Sequence, residues 1–426
     1  MHNRGIIGLT ALFLILTVGI FAQSPAGQKR VLAVLDSDTI KSSHSHFFDN
    51  LIADGFKIDY TLASSKANFL KYGVYNYEHL ILFAPHSEEF AGLDAEAILE
   101  FVDQGGNVLV AADSDASDAI KAIASDCNIE LDQSGAQVID HHFYETHGDD
   151  GTHSLIAADN LISDEVVVGS KVSSPVLFKG IGMDVLEDVP LIFPILSGSS
   201  FSYSHNPSSP VKKLHVAGKK TALVAALQAR NNARILFSGS LDLFGNKFFG
   251  ARVKPSSTGK EHLRSGNEEF SKAVTLWTFQ ERGAIRTSEA THHIKGETTA
   301  PSIYTIRDEI TYSLNIEEWK DGKWVPFQSD DVQLEFIMLD PYLRIPLKAD
   351  GRGNFSTDFI APDVYGVEFH KRGYGFVNVA SQVPVRPYRH TQYERFIASA
   401  YPYYASAISM MVGLWVFSWF FLYTKE

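Results

Sequence analysis

The run "ASAISMMVGLWVFSWFFLY" from Ala405 to Tyr423 holds no charged residue, and it constrains this chain more than any other stretch. At a rise of about 1.5 Å per residue it just reaches across a hydrocarbon core of about 30 Å. A lone segment in lipid must satisfy its own backbone, so it must be a helix. Trp415, Phe417, Trp419, Phe420 and Phe421 fall all round that helix, which suits lipid better than one buried stripe. Tyr403 and Tyr404 at one edge and Tyr423 at the other stand where interfacial aromatics belong. The opposite end reads "MHNRGIIGLTALFLILTVGIFAQS": Arg4 in a short basic region, an apolar stretch from Ile6 to Ile20, then Ala22 before Gln23. That is the layout of a cleaved secretory signal. The sequence therefore predicts a signal peptide over 1–22, a span over 405–423, a cytosolic tail over 424–426 and everything else outside the cytosol, as a single-pass type I protein.

Composition narrows what the part outside the membrane does. Cys127 is the sole cysteine, so no intrachain disulfide forms and stability has to come from ordinary cores, which the 45% apolar content allows. A net charge of −13 lacks the basic footprint of a nucleic-acid surface. "GNKFFGAR" has the glycine spacing of a phosphate-binding loop, but Ala251 and Arg252 stand where Lys and Ser or Thr are needed.

From Arg30 the chain alternates buried runs with amphipathic helices. "RVLAVLDSD" ends in acids; the helix after it is expected to be capped by Ser42 or Ser43, to turn Phe47, Leu51 and Ile52 inward, and to stop at Gly55. "HLILFAPH" follows, then a helix from Asp94 with Ile98, Phe101 and Val102 inward, then "NVLVAADSD". Runs buried on both sides and separated by helices imply a parallel sheet. The rhythm lapses from about 137 to 220, which reads as an insertion, and returns in "ARILFSGSLDLF" and a helix from Asn267 bearing Phe270, Val274 and Trp277. We expect an α/β domain over 23–286, with a flavodoxin-like sheet similar to those of the class I amidotransferase-like enzymes. Beyond it the period becomes two: Ile310, Tyr312, Leu314 and Ile316 alternate with polar residues, Asp321-Gly322 supplies a turn, and Val332, Leu334, Phe336 and Met338 alternate again. Residues 287–388 read as a β-sandwich-like domain and 389–404 as a juxtamembrane segment.

In an open parallel sheet, ligands bind beyond the carboxyl ends of the strands. Those ends carry Asp36 and Asp38, His86, Asp113 and Asp115, and Ser238, Ser240 and Asp242. Short acids and hydroxyls accept hydrogen bonds from sugar hydroxyls, so Asp36, Asp38, Asp113, Asp115, Ser240 and Asp242 are expected as a glycan-contacting rim; the competing reading makes them helix caps. Asp36-Ser37-Asp38 also has the spacing of a metal-binding acid pair, but a second copy at 113–115 in so acidic a chain makes chance the better account. His141, His142, His147 and His153 with Asp149 and Asp150 lie in a loop without cysteine, which reads as solvated rather than as a zinc site. No metal or cofactor is expected. Amidotransferases need a cysteine on a sharp strand-to-helix turn, whereas Cys127 falls late in a helix, so acyl transfer has no nucleophile here.

Four stretches, "LQARNNARILFSGSLDLF", "GKWVPFQSDDVQLEFIMLDPYLR", "APDVYGVEF" and "VPVRPYRHTQYERFIASAYPYYASAISMM", closely resemble the 48 kDa subunit family of the eukaryotic oligosaccharyltransferase. The likeness spans nearly all of the mature chain and is most specific over 227–244 and 313–411. It implies a non-catalytic subunit of the endoplasmic-reticulum membrane enzyme that moves a preassembled oligosaccharide from dolichyl diphosphate to Asn in Asn-x-Ser/Thr sequons. It also implies partners: a catalytic multi-span subunit, ribophorin-type subunits and small membrane subunits. Some family members end in a dilysine signal, but "YTKE" has only Lys425. Asn354-Phe355-Ser356 is itself a sequon, whereas Asn206-Pro207-Ser208 is excluded by its proline.

The segment before the span is too charged for a mere spacer. Arg389, His390, Glu394 and Arg395 lie just above it, and Ala405, Ser406, Ala407, Ser409 and Gly413 would let neighbouring helices come close. We expect Arg389, His390, Glu394, Arg395, Ala405, Ser409 and Gly413 to dock partner subunits, with Pro402 keeping Tyr401 out of helical geometry. Two readings compete with the subunit: a stand-alone membrane-anchored lectin-like receptor, and an anchored hydrolase.

Overall fold

The computed structural model describes residues 29–169, 172–186, 189–211, 214–320, 322–337, 341–360, 367–369, 372–379, 384–393 and 398–423. The expected signal peptide, the tail, Glu394 and Arg395 lie outside the described residues. The main sheet is built on β1 (Arg30–Leu35), β2 (Lys57–Leu62), β3 (His79–Phe83), β4 (Asn107–Ala111), β5 (Ile192–Ser197), β6 (Ala222–Gln228) and β7 (Arg234–Ser238), in the order β5-β6-β7-β4-β3-β1-β2. Because alternate residues of a strand face opposite sides, each apolar run feeds two cores. Val31, Ala33, Ile81, Phe83 and Leu109 pack under helices α1 (Ser45–Ala53) and, from later in the chain, Asn267–Thr278. Leu32, Val34, Leu80, Val108 and Val110 pack under Ala95–Asp103 and Asp118–Asp126, which in chain order are α2 and α3, leaving Asn267–Thr278 as α4. The sheet is thus covered on both faces.

The parallel rule holds from β2 through β1, β3 and β4 to β7 and stops there. β6 pairs antiparallel with β7, and β5 antiparallel with β6. For β6 the reason is length: only the stretch 229–233 joins it to β7, and a parallel neighbour needs a crossover of about a dozen residues or more. The stretch read as an insertion therefore supplies β5 to the main sheet itself. In α1 the cap position is His44 rather than Ser42 or Ser43, and Ile52 is 50% exposed while Phe48 takes the inward place beside Phe47 and Leu51. A separate short helix, Asp38–Ser43, uses up the serines. α2 starts as expected, with the Asp94 carboxylate accepting from Ala97 N at 2.9 Å.

The second body is a sheet with one long spine, β8 (Glu309–Lys320), which pairs antiparallel with β9 (Asn354–Ile360) and with 285–287, 291–294 and 323–326. Ile310, Tyr312, Leu314 and Ile316 turn inward onto Phe327, Leu334, Phe355 and Phe359, which is the period-two pattern of the sequence. Gly322 makes the hairpin turn at φ +76°. The final helix, α5 (Tyr401–Tyr423), has no buried residue, and it is long and apolar enough to cross a membrane. Tyr401 is helical, contrary to the expectation from Pro402. A turn of 3₁₀ helix over Ala398–Ala400 leads into α5, and Pro402 sits in the first turn, where its missing N–H has no bond to lose.

Candidate functional site

The carboxyl ends of β7, β4, β3 and β1 are neighbours in the sheet, so Asp242, Asp113, His86 and Asp36 follow one another along a single rim. Asp36 is tied to the loop after β3: one carboxylate oxygen accepts from His86 N at 3.2 Å and lies 3.0 Å from His86 Nδ1, and the other accepts from Ser87 Oγ at 2.5 Å. Asp113 accepts from Ser114 N at 2.7 Å. Burial pushes its carboxyl above the usual range, and the charges of Asp242 and Asp115 push the same way, against Ser114 N–H and His86. Asp38, Asp115 and Asp242 are exposed. Ser240 departs from expectation: its side chain is fully buried and its hydroxyl donates to Lys179 O at 2.5 Å, so it supports the rim from beneath and cannot meet a ligand. The rim acids are not helix caps either; Ser117 caps α3 and Asp94 caps α2. Below the rim, His44 is buried against Phe83, and its ring nitrogens lie 3.2 Å from Leu241 O and Ile40 O. Burial lowers its pKa, which keeps it neutral.

What this arrangement offers is hydrogen-bond acceptance by the rim acids. Cys127 follows the last turn of α3, 4% exposed, and burial with Asp126 and Asp103 pushes its thiol up to about 12, so it stays protonated at neutral pH. The histidine loop is ordered by acids rather than solvated throughout. Asp140 accepts from His142 N at 2.8 Å and Phe143 N at 2.9 Å, and Glu145 accepts from Gly148 N at 2.6 Å, both carboxylates being buried. His141 meets Tyr203 OH at 3.0 Å, and the His153 ring packs tilted against Tyr144, their centroids 4.1 Å apart. Among the described residues no three His, Cys, Asp or Glu side chains converge as metal ligands.

Two family models match the chain, the OST48 N-terminal domain over residues 22–281 and the OST48 middle domain over 292–425. The chain is 46% identical over 427 residues to the dolichyl-diphosphooligosaccharide–protein glycosyltransferase 48 kDa subunit of Danio rerio, covering 98% of this chain and 96% of that one. The subunits of that name from Arabidopsis thaliana and Drosophila melanogaster are each 42% identical, over 93% of this chain and 93% and 91% of theirs. The chain belongs to the 48 kDa subunit family. Two solved structures, a carbohydrate deacetylase and the alpha-L-fucosidase isoenzyme 2 of Paenibacillus thiaminolyticus, align at TM-scores of 0.30 and 0.31 with 8% and 10% identity. They cover 49% and 78% of this chain and 29% and 46% of their own, a likeness too slight to speak to fold or function.

The stretch 227–244, one of the two in which the resemblance was read as most specific, contributes to the junction of the two bodies. Gln228 accepts from Gly373 N at 3.0 Å and donates to Tyr374 O; Asn232, left-handed at φ +71°, donates to Phe376 O at 3.2 Å and accepts from Phe376 N. Trp277 Nε1 donates to Gly373 O at 2.7 Å, and Gly375 N to Gly283 O at 2.7 Å. The segment 372–376 is thereby clasped into the α/β body. Beside the clasp opens a cleft of about 790 Å³ between the bodies, edged by Trp319, Tyr374 and three ion pairs: Lys29–Glu281, Lys272–Asp54 and Arg372–Asp164. Sequence reasoning did not assign this junction. Its residues lie in "QARNN" and "RGYGF", where asparagine and glycine signal a turn and nothing signals that the two turns meet.

The remaining expected residues fall as follows. Arg389 and His390 are exposed, and Arg389 N donates to Gln392 Oε1 at 2.9 Å. Ala405, Ser409 and Gly413 are exposed on α5 at a four-residue spacing, which places them on one face, and Ser409 Oγ folds back onto Ser406 O at 2.8 Å. Asn354 is the exposed first residue of β9.

Proposed function

We propose that this chain is a non-catalytic, single-pass type I subunit of the endoplasmic-reticulum oligosaccharyltransferase, its two bodies in the lumen and its C-terminal helix among the helices of the other subunits. The observation that carries the reading is likeness to the 48 kDa subunits along almost the whole chain, at 42–46% identity. The apolar helix at the C-terminus supports membrane attachment, and the buried, protonated Cys127 supports a role without covalent chemistry. Within that role, Asp36, Asp38, Asp113, Asp115 and Asp242 form an acceptor rim for sugar hydroxyls. Arg389, His390, Glu394 and Arg395, with Ala405, Ser409 and Gly413, dock the catalytic multi-span subunit and its smaller membrane companions.

Affinity purification of the tagged full chain in mild detergent tests the reading. A stoichiometric set of membrane proteins that glycosylates a sequon peptide from a dolichyl-diphosphate donor supports it; a chain that purifies alone with glycan affinity favours a lectin-like receptor. Replacing 405–423 by an unrelated span of equal length, and separately Arg395→Glu, is expected to release the chain from the set and lower cellular N-glycosylation. Asp113→Asn with Asp242→Asn is expected to leave assembly intact and weaken donor use, and unchanged donor use removes the rim from the account.

A further inference from the structure

We propose that Asn354 itself carries an N-linked glycan, and that the polar outer face of the β8–β9 sheet on which it stands is open to the lumen rather than covered by another subunit. This rests on the lumenal placement argued above. Asn354 and Ser356 of the sequon are two residues apart in β9, so both lie on the outer face, and both are exposed. The Asn354 side chain spans the strand pair: Nδ2 donates to Asp350 Oδ2 at 2.9 Å and Oδ1 accepts from Asn315 Nδ2 at 2.8 Å. In the transfer, Nδ2 bonds to C1 of the oligosaccharide, the bond from C1 to the dolichyl-diphosphate oxygen breaks, the diphosphate leaves with the electron pair, and one amide proton goes to solvent. One N–H remains on Nδ2, enough to keep the bond to Asp350. Phe355, between the two sequon residues, is wholly buried, and Asn354 is paired with Asn315 across the sheet. Transfer therefore belongs to the unpaired strand, before β9 closes onto β8.

The face around the sequon has the composition of solvent-facing surface. Positions 311, 313 and 315 of β8 and 354, 356 and 358 of β9 are all polar; Thr311 Oγ1 donates to Asp358 Oδ1 at 2.7 Å across the pair, and Ser313 Oγ lies 2.7 Å from Thr291 Oγ1 on the neighbouring strand 291–294. Lys295 lies 3.2 Å from Glu309 and 3.3 Å from Asp358. Interface cores are depleted in Asp, Glu, Lys and Ser and enriched in aromatics, the reverse of this surface.

The test uses the full chain expressed in a eukaryotic secretory system. Treatment with peptide-N-glycosidase F is expected to shift the wild type by one glycan, and Asn354→Gln and Ser356→Ala are each expected to abolish the shift. Ser356→Ala leaves the hydrogen bonds of Asn354 in place, so it separates loss of the acceptor from loss of fold. Asp358→Asn together with Ile360→Thr puts a second sequon on the same face and is expected to add a second glycan without loss from the complex. A wild type that does not shift beside a second-sequon variant that does overturns Asn354 alone. If neither shifts, the lumenal placement falls with the proposal. If the second glycan expels the chain from its complex while Asp358→Asn alone does not, the face is an interface.

Discussion

Arg234 is a full positive charge with 1% of its surface exposed, and among the described residues no acid is paired with it. Its guanidinium instead donates to three carbonyls, those of Trp277, Arg282 and Gly283, and lies 4.6 Å over the Trp277 ring, binding the end of α4 to the junction. Burial pulls its pKa down to about 9, which still leaves it charged at neutral pH. A planar fork reaches several carbonyls where an ammonium reaches one or two. Arg234→Lys is accordingly expected to lower stability by about 1.5–3 kcal/mol and Arg234→Ala by about 3–5 kcal/mol, read from denaturant melts of the detergent-solubilised chain. His79 makes a second case. It is buried at the start of β3, its ring stacked on Phe279 at 4.4 Å and its Nδ1 3.2 Å from Asn107 Nδ2. Burial, with the charge of Lys29, lowers its pKa to about 3. A histidine held neutral in the fold binds its proton only after unfolding, so its contribution is complete above the unfolded value near 6.5 and declines as pH falls toward 3. Stability is expected to fall by up to about 1.4 kcal/mol per pH unit through this window from His79 alone. His79→Gln should flatten the slope between pH 7 and 5, and an unchanged slope would assign it to other groups.

At the scale of elements, the rim depends on a backbone crossing. After β7 the chain turns at Gly239 and passes so close to 180–182 that a Cβ on Gly239 would sit 2.1 Å from Ile181 O, and one on Gly180 2.0 Å from Gly239 O. Backbone cannot swing away as a side-chain tip can. Gly239→Ala is expected to cost more than about 3 kcal/mol and to reduce accumulation of folded chain, because the clash has to be relieved by separating two strand ends. Gly250→Ala serves as the comparison: there the nearest atom is Asn246 O at 3.7 Å and φ is −91°, so expression and melting should match the wild type. The same crossing explains why Ser238 and Ser240 are buried although they follow a strand end.

At the scale of the whole molecule, the clasp decides whether the chain behaves as one body or two. Gln228, Asn232, Trp277 and Gly283 hold Gly373 to Phe376, while the chain leaves the first body through the short turn 279–284, directly before the paired stretch 285–287 of the second. Asn232→Gly keeps the left-handed backbone and removes both side-chain bonds to Phe376, so it isolates the clasp from the turn. Loss of about 1.4 kcal/mol there makes transient opening about tenfold more frequent. Limited proteolysis at the clasped segments, 279–284 and 372–376, should accelerate by that factor while the melt of the α/β body stays in place; equal cleavage rates would show that the bodies are held otherwise.

The sequence by itself determined most of the elements, because their signals are local. Apolar runs at β1, β3 and β4, Asp94 as a cap, period two along β8 and the uncharged stretch before Tyr423 each carry their own physical instruction, and the family read from four short stretches is the one whose members are 42–46% identical to this chain. Tertiary structure decided what depends on neighbours distant in sequence. Ser240 and Asp242 look alike as short polar residues after a strand, yet one is sealed under Lys179 and the other faces solvent. The "QARNN" asparagines gave no sign of their partner, since Phe376 lies 144 residues away from Asn232 and such a hydrogen bond leaves no periodicity to read. The antiparallel return of β6 was set by the shortness of the turn 229–233 rather than by the strand, whose apolar run is the same in either direction.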